Sequence, residues 1–205
     1  MVHQSTTNEN LKSQILMNPI RSLNGDGHNP NPRKILFQPN IGLNSDIRDL
    51  VVEILNASLA NEALLTQKTR SAHWNISGVG FYELLFLFDT QYKQLTDISD
   101  EIAERVRMLG GMAIGSFEQI LTLSRLEEHS GGVPDILNLL ADHETIIRFL
   151  REDIRKCSEE YEDEGTIELL VSVMRLHEKM AWMLRSYIEI EPVQGESQKR
   201  IPNDE

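Results

Sequence analysis

Four stretches of this chain repeat apolar residues every three or four positions, and each is bounded by residues that stop a helix. In the first, Ile47, Leu50, Val51, Ile54, Leu55, Leu59, Ala63 and Leu64 fall on one face at helical spacing. Asn44 or Ser45 can cap its start, Asp46 suits its first turn, and the pattern runs to about Asn75, ahead of Gly78. The second stretch spans about Phe81 to Leu109 and is closed by Gly110-Gly111. The third opens at Pro134, after Gly131-Gly132. It continues through Ile136, Leu139, Leu140, Ile146, Ile147, Leu150 and Ile154 until the acidic run from Glu159 to Gly165 breaks it. The fourth, about Thr166 to Ile190, carries Leu169, Leu170, Val173, Met174, Leu176, Met180, Met183 and Leu184, and ends before Pro192. Long amphipathic helices joined by short links bury their stripes by packing as an antiparallel four-helix bundle, so the fold class is all-α. Between the second and third stretches, Ser116-Phe117-Glu118-Gln119 has the form of a capping box and predicts a short extra helix.

The flanks read differently. Residues 1–40 hold four of the seven prolines and seven asparagines without any periodicity, which predicts a mobile arm. Residues 41–191 form the bundle, and residues 192–205 read as a disordered acidic tail. A chain of 205 residues suffices for one well-buried domain. No run approaches the roughly 18 apolar residues that span a bilayer. The start, Met1-Val2-His3-Gln4-Ser5, lacks the pattern of a secretory signal. A single cysteine, Cys157, can form no intrachain disulfide, so the expected compartment is the reducing cytoplasm. The net charge of −12 disfavours a phosphate polyanion as partner and suits a container for cations.

The chemistry-bearing stretch is His73 to Arg105. Its histidine ends the first helical pattern, and Asp89, Asp100 and Glu104 follow on the second. At about 100° per residue, positions 100 and 104 differ by about 40° and positions 89 and 100 by about 20°, so the three carboxylates share one stripe, with Leu85 on it as well. Carboxylates with an imidazole suit iron or manganese, and also zinc. Acidic residues four apart on a helix are usually a solvated face, and a lone histidine is usually structural. Spacing alone leaves both readings open.

His73-Trp74-Asn75, Gly78, Phe81, Asp89 and Asp100-x-x-x-Glu104-Arg105 with Leu109-Gly110-Gly111 resemble the signature of the Dps family, the mini-ferritins or DNA-binding proteins from starved cells. The similarity continues in Asp142-His143-Glu144 and in His177-Glu178-Lys179-x-Ala181-Trp182-Met183-Leu184-Arg185, and covers roughly residues 40 to 190. The resemblance implies a ferritin-like bundle with the short helix between the second and third long ones. It also implies a homo-oligomer, a hollow dodecamer, that oxidises ferrous iron, preferably with hydrogen peroxide, and stores the ferric mineral. Carried over residue by residue, His73 is an imidazole ligand with Asp89 beside it. Asp100 and Glu104 are the main carboxylate ligands, from a neighbouring subunit across a two-fold axis. Trp74 either intercepts oxidising equivalents or is a core aromatic at the dimer interface. The aromatic run Phe81, Tyr82, Phe86 and Phe88 reads as core or subunit interface.

Two departures follow. No histidine has a glutamate three residues earlier, which argues against the intrachain di-iron centre of larger ferritins. The family usually places a second histidine four residues before the aspartate, where this chain has Leu85. Leucine cannot ligate, so the centre loses a nitrogen donor, with His28 of the arm a candidate substitute. His143 and His177 resemble structural positions, and His3 and His129 are unassigned. The acidic corner at Glu160, Glu162, Asp163, Glu164 and Glu168 reads as solvated, although in the family this region approaches an iron-entry pore. Lys12, Arg21, Arg33 and Lys34 against Glu9 and Asp26 give the arm only two net positive charges, which disfavours DNA binding. The alternatives are a structural or DNA-compacting cage whose iron site has decayed, and a bundle that binds another metal such as zinc.

Overall fold

The computed structural model describes residues 39–128 and 131–189. The arm up to residue 38 (with His3 and His28), His129, and the tail from residue 190 lie outside the described residues.

Five helices and no strand are found among the described residues: α1 (Ser45–Asn75), α2 (Phe81–Met108), the short α3 (Phe117–Leu123), α4 (Ile136–Lys156) and α5 (Glu164–Glu189). The four long ones form the expected bundle. α1 packs chiefly on α2 and α4 on α5, while α1–α4 and α2–α5 contacts join the two pairs. Their stripes meet in one core that includes Val52, Leu55, Phe88, Leu95, Ile102, Leu139, Leu150, Leu170 and Leu184. Each such large side chain, fully buried, contributes about 1.5–3 kcal/mol relative to exposure.

The helix ends follow local chemistry. Asn44 caps α1 by accepting from the Ile47 amide, and Ser116 and Gln119 close a capping box on α3. The third long helix begins later than its proline suggests. Asp135 is its cap, boxed with Asn138, because an aspartate side chain can take the amide three residues on while Pro134 offers no such acceptor. α5 begins two residues before Thr166, since Asp163 accepts the Thr166 amide at 3.2 Å and opens the helix there. The same aspartate corrects the reading of the acidic corner. Glu160, Glu162, Glu164 and Glu168 are exposed, but Asp163 is buried and paired with Arg105 at 2.7 Å. Between α4 and α5 a π-helical turn covers Cys157–Tyr161 and ends at Glu162 with φ 50°. Cys157 is buried there, and burial pushes its thiol up to about 12, so it stays protonated and inert.

Leu50 departs from its expected stripe and is exposed. Three polar residues of α1 instead occupy buried positions and fasten the long connection from α2 to α4. Asn56 donates to the Met112 carbonyl and accepts the Ile114 amide, both at 3.1 Å. Asn61 accepts the Arg125 amide at 2.7 Å, and the Lys68 ammonium donates to the Glu127 carbonyl at 3.1 Å. Two glycines are set by geometry. Gly80 caps α2 at φ 74°, where a Cβ would fall 1.5 Å from the Tyr187 hydroxyl. A Cβ at Gly111 would lie 2.6 and 2.7 Å from the two methyls of Val52, a branched side chain with no room to turn. Gly111→Ala is therefore expected to destabilise the fold by about 1–3 kcal/mol, read as a lowered midpoint in denaturant.

Candidate metal centre

His73 lies in the last turn of α1, facing the first turns of α2. Its Nδ1 is 3.0 Å from the Leu85 carbonyl oxygen. A carbonyl only accepts, so Nδ1 carries the proton, and in the neutral ring this leaves the lone pair on Nε2, the form a metal ligand needs. Leu85 thus supplies no ligand from its side chain but orients the imidazole through its backbone.

Asp89 stands in the same patch. Its Oδ1 accepts from the Tyr92 hydroxyl at 2.8 Å and its Oδ2 from the Lys93 ammonium at 2.7 Å. The Lys93 contact, then the Tyr92 contact, hold the Asp89 carboxyl below the usual range, with a further contribution from His73. The Tyr92 ring meets the His73 ring edge-on at 5.5 Å, and the Arg70 guanidinium lies over the Tyr92 ring at 5.0 Å. Tyr92, Lys93 and Arg70 were not singled out from the sequence. Their signal was there, since positions 92 and 93 follow Asp89 at helical contact spacing.

Asp100 and Glu104 lie one turn apart, exposed, beside Ala103, Arg107, Met108 and Ala113. They share the predicted stripe with Asp89, but a stripe has length. At about 1.5 Å per residue they sit about 16 and 22 Å further along α2, far beyond the reach of one ion. No group of three metal-ligating side chains forms among the described residues. The predicted ligands therefore fall into two separate groups, an imidazole with a carboxylate near the start of α2 and a carboxylate pair near its end.

Trp74 is 64 % exposed, so it is not part of this subunit's core. Of the aromatic run only Phe88 is buried, while Phe81, Tyr82 and Phe86 are exposed on the subunit. Phe117 and Leu121 of α3 are exposed as well.

The other two described histidines are fully buried and bonded together. His143 Nδ1 is 2.9 Å from His177 Nδ1, and His177 Nε2 is 3.0 Å from Glu62 of α1. With Glu62 ionised and both rings neutral, His177 donates from Nε2 to the carboxylate and accepts at Nδ1 from His143. This row spans α1, α5 and α4 and acts as a packing element, in line with the structural role expected for both histidines. Glu62 was missed in the sequence, although a glutamate between Leu59 and Ala63 interrupts the apolar face of α1. Burial, and then His177, lower the His143 pKa well below its usual value.

A family model described as a ferritin-like domain matches residues 52–191. An uncharacterised low temperature-induced protein of Nostoc sp. is 45% identical over 159 residues, covering 76% of this chain and 89% of that protein. A protein of Agrobacterium fabrum named for DNA protection during starvation is 31% identical, over 72% of this chain and 93% of its own length. Among solved structures, DpsC from Streptomyces coelicolor superposes with a TM-score of 0.72 at 30% identity, covering 77% of this chain and 94% of that one. A Dps protein from Vibrio cholerae, described as a member of the ferritin-like diiron-carboxylate superfamily, gives 0.69 at 30% identity, over 74% and 96% of the two chains.

Proposed function

Because this chain belongs to the Dps family of ferritin-like proteins, we propose that it binds ferrous iron between paired subunits, oxidises it and stores the ferric product within a closed homo-oligomeric shell. The observation that carries this reading is the division of the candidate ligands along α2. A two-fold axis across the middle of α2, near Leu95, would set two copies of the helix antiparallel. It would bring the His73–Asp89 half of each subunit to the Asp100–Glu104 half of the other, making two equivalent centres. The exposed Trp74, Phe81, Tyr82, Phe86, Phe117 and Leu121 supply apolar area for such a pairing. Trp74, beside the ligand His73, is also placed to intercept stray oxidising equivalents. The shell is a dodecamer by resemblance.

The donor set fits a ferrous substrate. It offers one neutral imidazole with Nε2 free, and carboxylates that a divalent ion relieves of mutual repulsion. Hydrogen peroxide takes two electrons, and two ferrous ions give one each, so pairing them yields water rather than a hydroxyl radical. Without the nitrogen donor that Leu85 removes, the centre holds its first ion more firmly than any second. Anaerobic titration of the full chain with ferrous salt, then peroxide, tests the reading. Saturable binding, followed by loss of ferrous iron and growth of a ferric core, is expected.

Leu85 also motivates the second reading, a structural or DNA-compacting cage without iron chemistry. A closed shell that takes up no ferrous iron in that titration would establish it. Block of oxidation by an equimolar amount of zinc would instead mark a centre selecting zinc. The net charge of −12 weighs against direct contact with DNA. No described helix is long and apolar enough to cross a membrane, and the cytoplasm is the compartment we propose.

A further inference from the structure

The stripe of α2 that faces His73 reads Leu85, Asp89, Lys93 at four-residue intervals. Its first member has no donor to offer, and its third is a cation in contact with its second. We propose that Lys93 sets the affinity of the metal centre, as a built-in competitor that holds the coordinating oxygen of Asp89 until an ion displaces it. The inference rests on the metal centre described above and adds a residue to it.

Both oxygens of Asp89 are engaged within the subunit, but unequally. Tyr92 brings a neutral hydroxyl to Oδ1. Lys93 brings a full positive charge to Oδ2, so a metal ion binding that oxygen must compete with the ammonium. The Lys93 side chain is 62 % exposed, so its ammonium can swing into water when an ion arrives. Its four-carbon stem makes that movement cheap, since an exposed pair of this kind is worth little. Lys93 therefore does not block the centre. It keeps Asp89 paired while the site is empty and subtracts from the gain when a divalent ion binds. The other groups near Asp89 act differently. Arg70 is occupied with the Tyr92 ring, and His73 is a ligand itself.

Calorimetric titration of the assembled full-length protein with Co2+, which oxygen does not oxidise at such a site on the timescale of the titration, tests this. Lys93→Gln removes the charge and keeps the length of the stem, and is expected to tighten Co2+ binding roughly two- to fivefold. Lys93→Arg keeps a cation on Asp89 and is expected to bind no more tightly than the wild type. In an Asp89→Asn background, Lys93→Gln is expected to change affinity less than twofold, because the lysine acts through that carboxylate. Unchanged or weaker binding in Lys93→Gln overturns the proposal, as does an equal gain with Asp89→Asn present. His73→Ala and Asp89→Asn serve as references for the centre itself. If neither weakens Co2+ binding, the metal-centre reading fails; if both weaken it and Lys93→Gln has no effect, only the role of Lys93 fails.

Discussion

His177→Ala is expected to lower the stability of the folded subunit by about 3–5 kcal/mol. The loss has two parts. The imidazole leaves a cavity among α1, α4 and α5, and the fully buried Glu62 carboxylate loses its donor. His143 also loses its partner at Nδ1, while its Nε2 already has none. Glu62→Gln is expected to cost less, because a neutral amide can still accept from His177 Nε2. Denaturant midpoints at one protein concentration, with metal excluded, measure both. The same row makes stability depend on pH. His143 takes up a proton near pH 6.5 when unfolded but resists it when folded, so the unfolded chain binds more protons below that pH. Stability from this group is therefore complete above about pH 6.5 and falls as pH drops below it, by about 1.4 kcal/mol per unit. His143→Gln, which does not titrate, is expected to flatten that slope.

Asp100→Ala and His73→Ala, made separately, are each expected to abolish metal binding at the proposed centre, while assembly persists. The decisive result comes from mixing them. If each centre joins the His73 half of one subunit to the Asp100 half of its partner, a mixed pair contains one centre damaged on both sides and one intact. Randomly reassembled subunits then recover about a quarter of the wild-type sites, although neither variant alone has any. A centre built within one subunit recovers nothing on mixing. Equilibrium Co2+ binding to proteins unfolded together, refolded and reassembled distinguishes the two outcomes without depending on turnover.

The bundle was legible in the sequence because helix formation and burial are governed by short-range periodicity. The stripe of α1, the double glycine after α2 and the capping box at Ser116 each carry their signal within a few residues. The departures mark where a side chain answers to a distant partner. Asp163 belongs to a run of acids that reads as solvated until Arg105, 58 residues earlier, turns up beside it. Glu62 looks like an interruption of an apolar face until His177 arrives from 115 residues away. Leu85 reads as a lost ligand, and its carbonyl still fixes the tautomer of His73, a contact that no side-chain pattern encodes.

By itself the sequence determined the four long helices, the short one between them, the family, and the residues that could ligate a metal, because all of these depend on local spacing and residue chemistry. Only the tertiary structure decided which of those residues stand together. It set His73 beside Asp89 and left Asp100 and Glu104 about three and four helical turns too far along α2 to join them. Angular position on a helix follows from residue spacing alone. The meeting of side chains also depends on axial rise and on what the neighbouring helix brings to the same height.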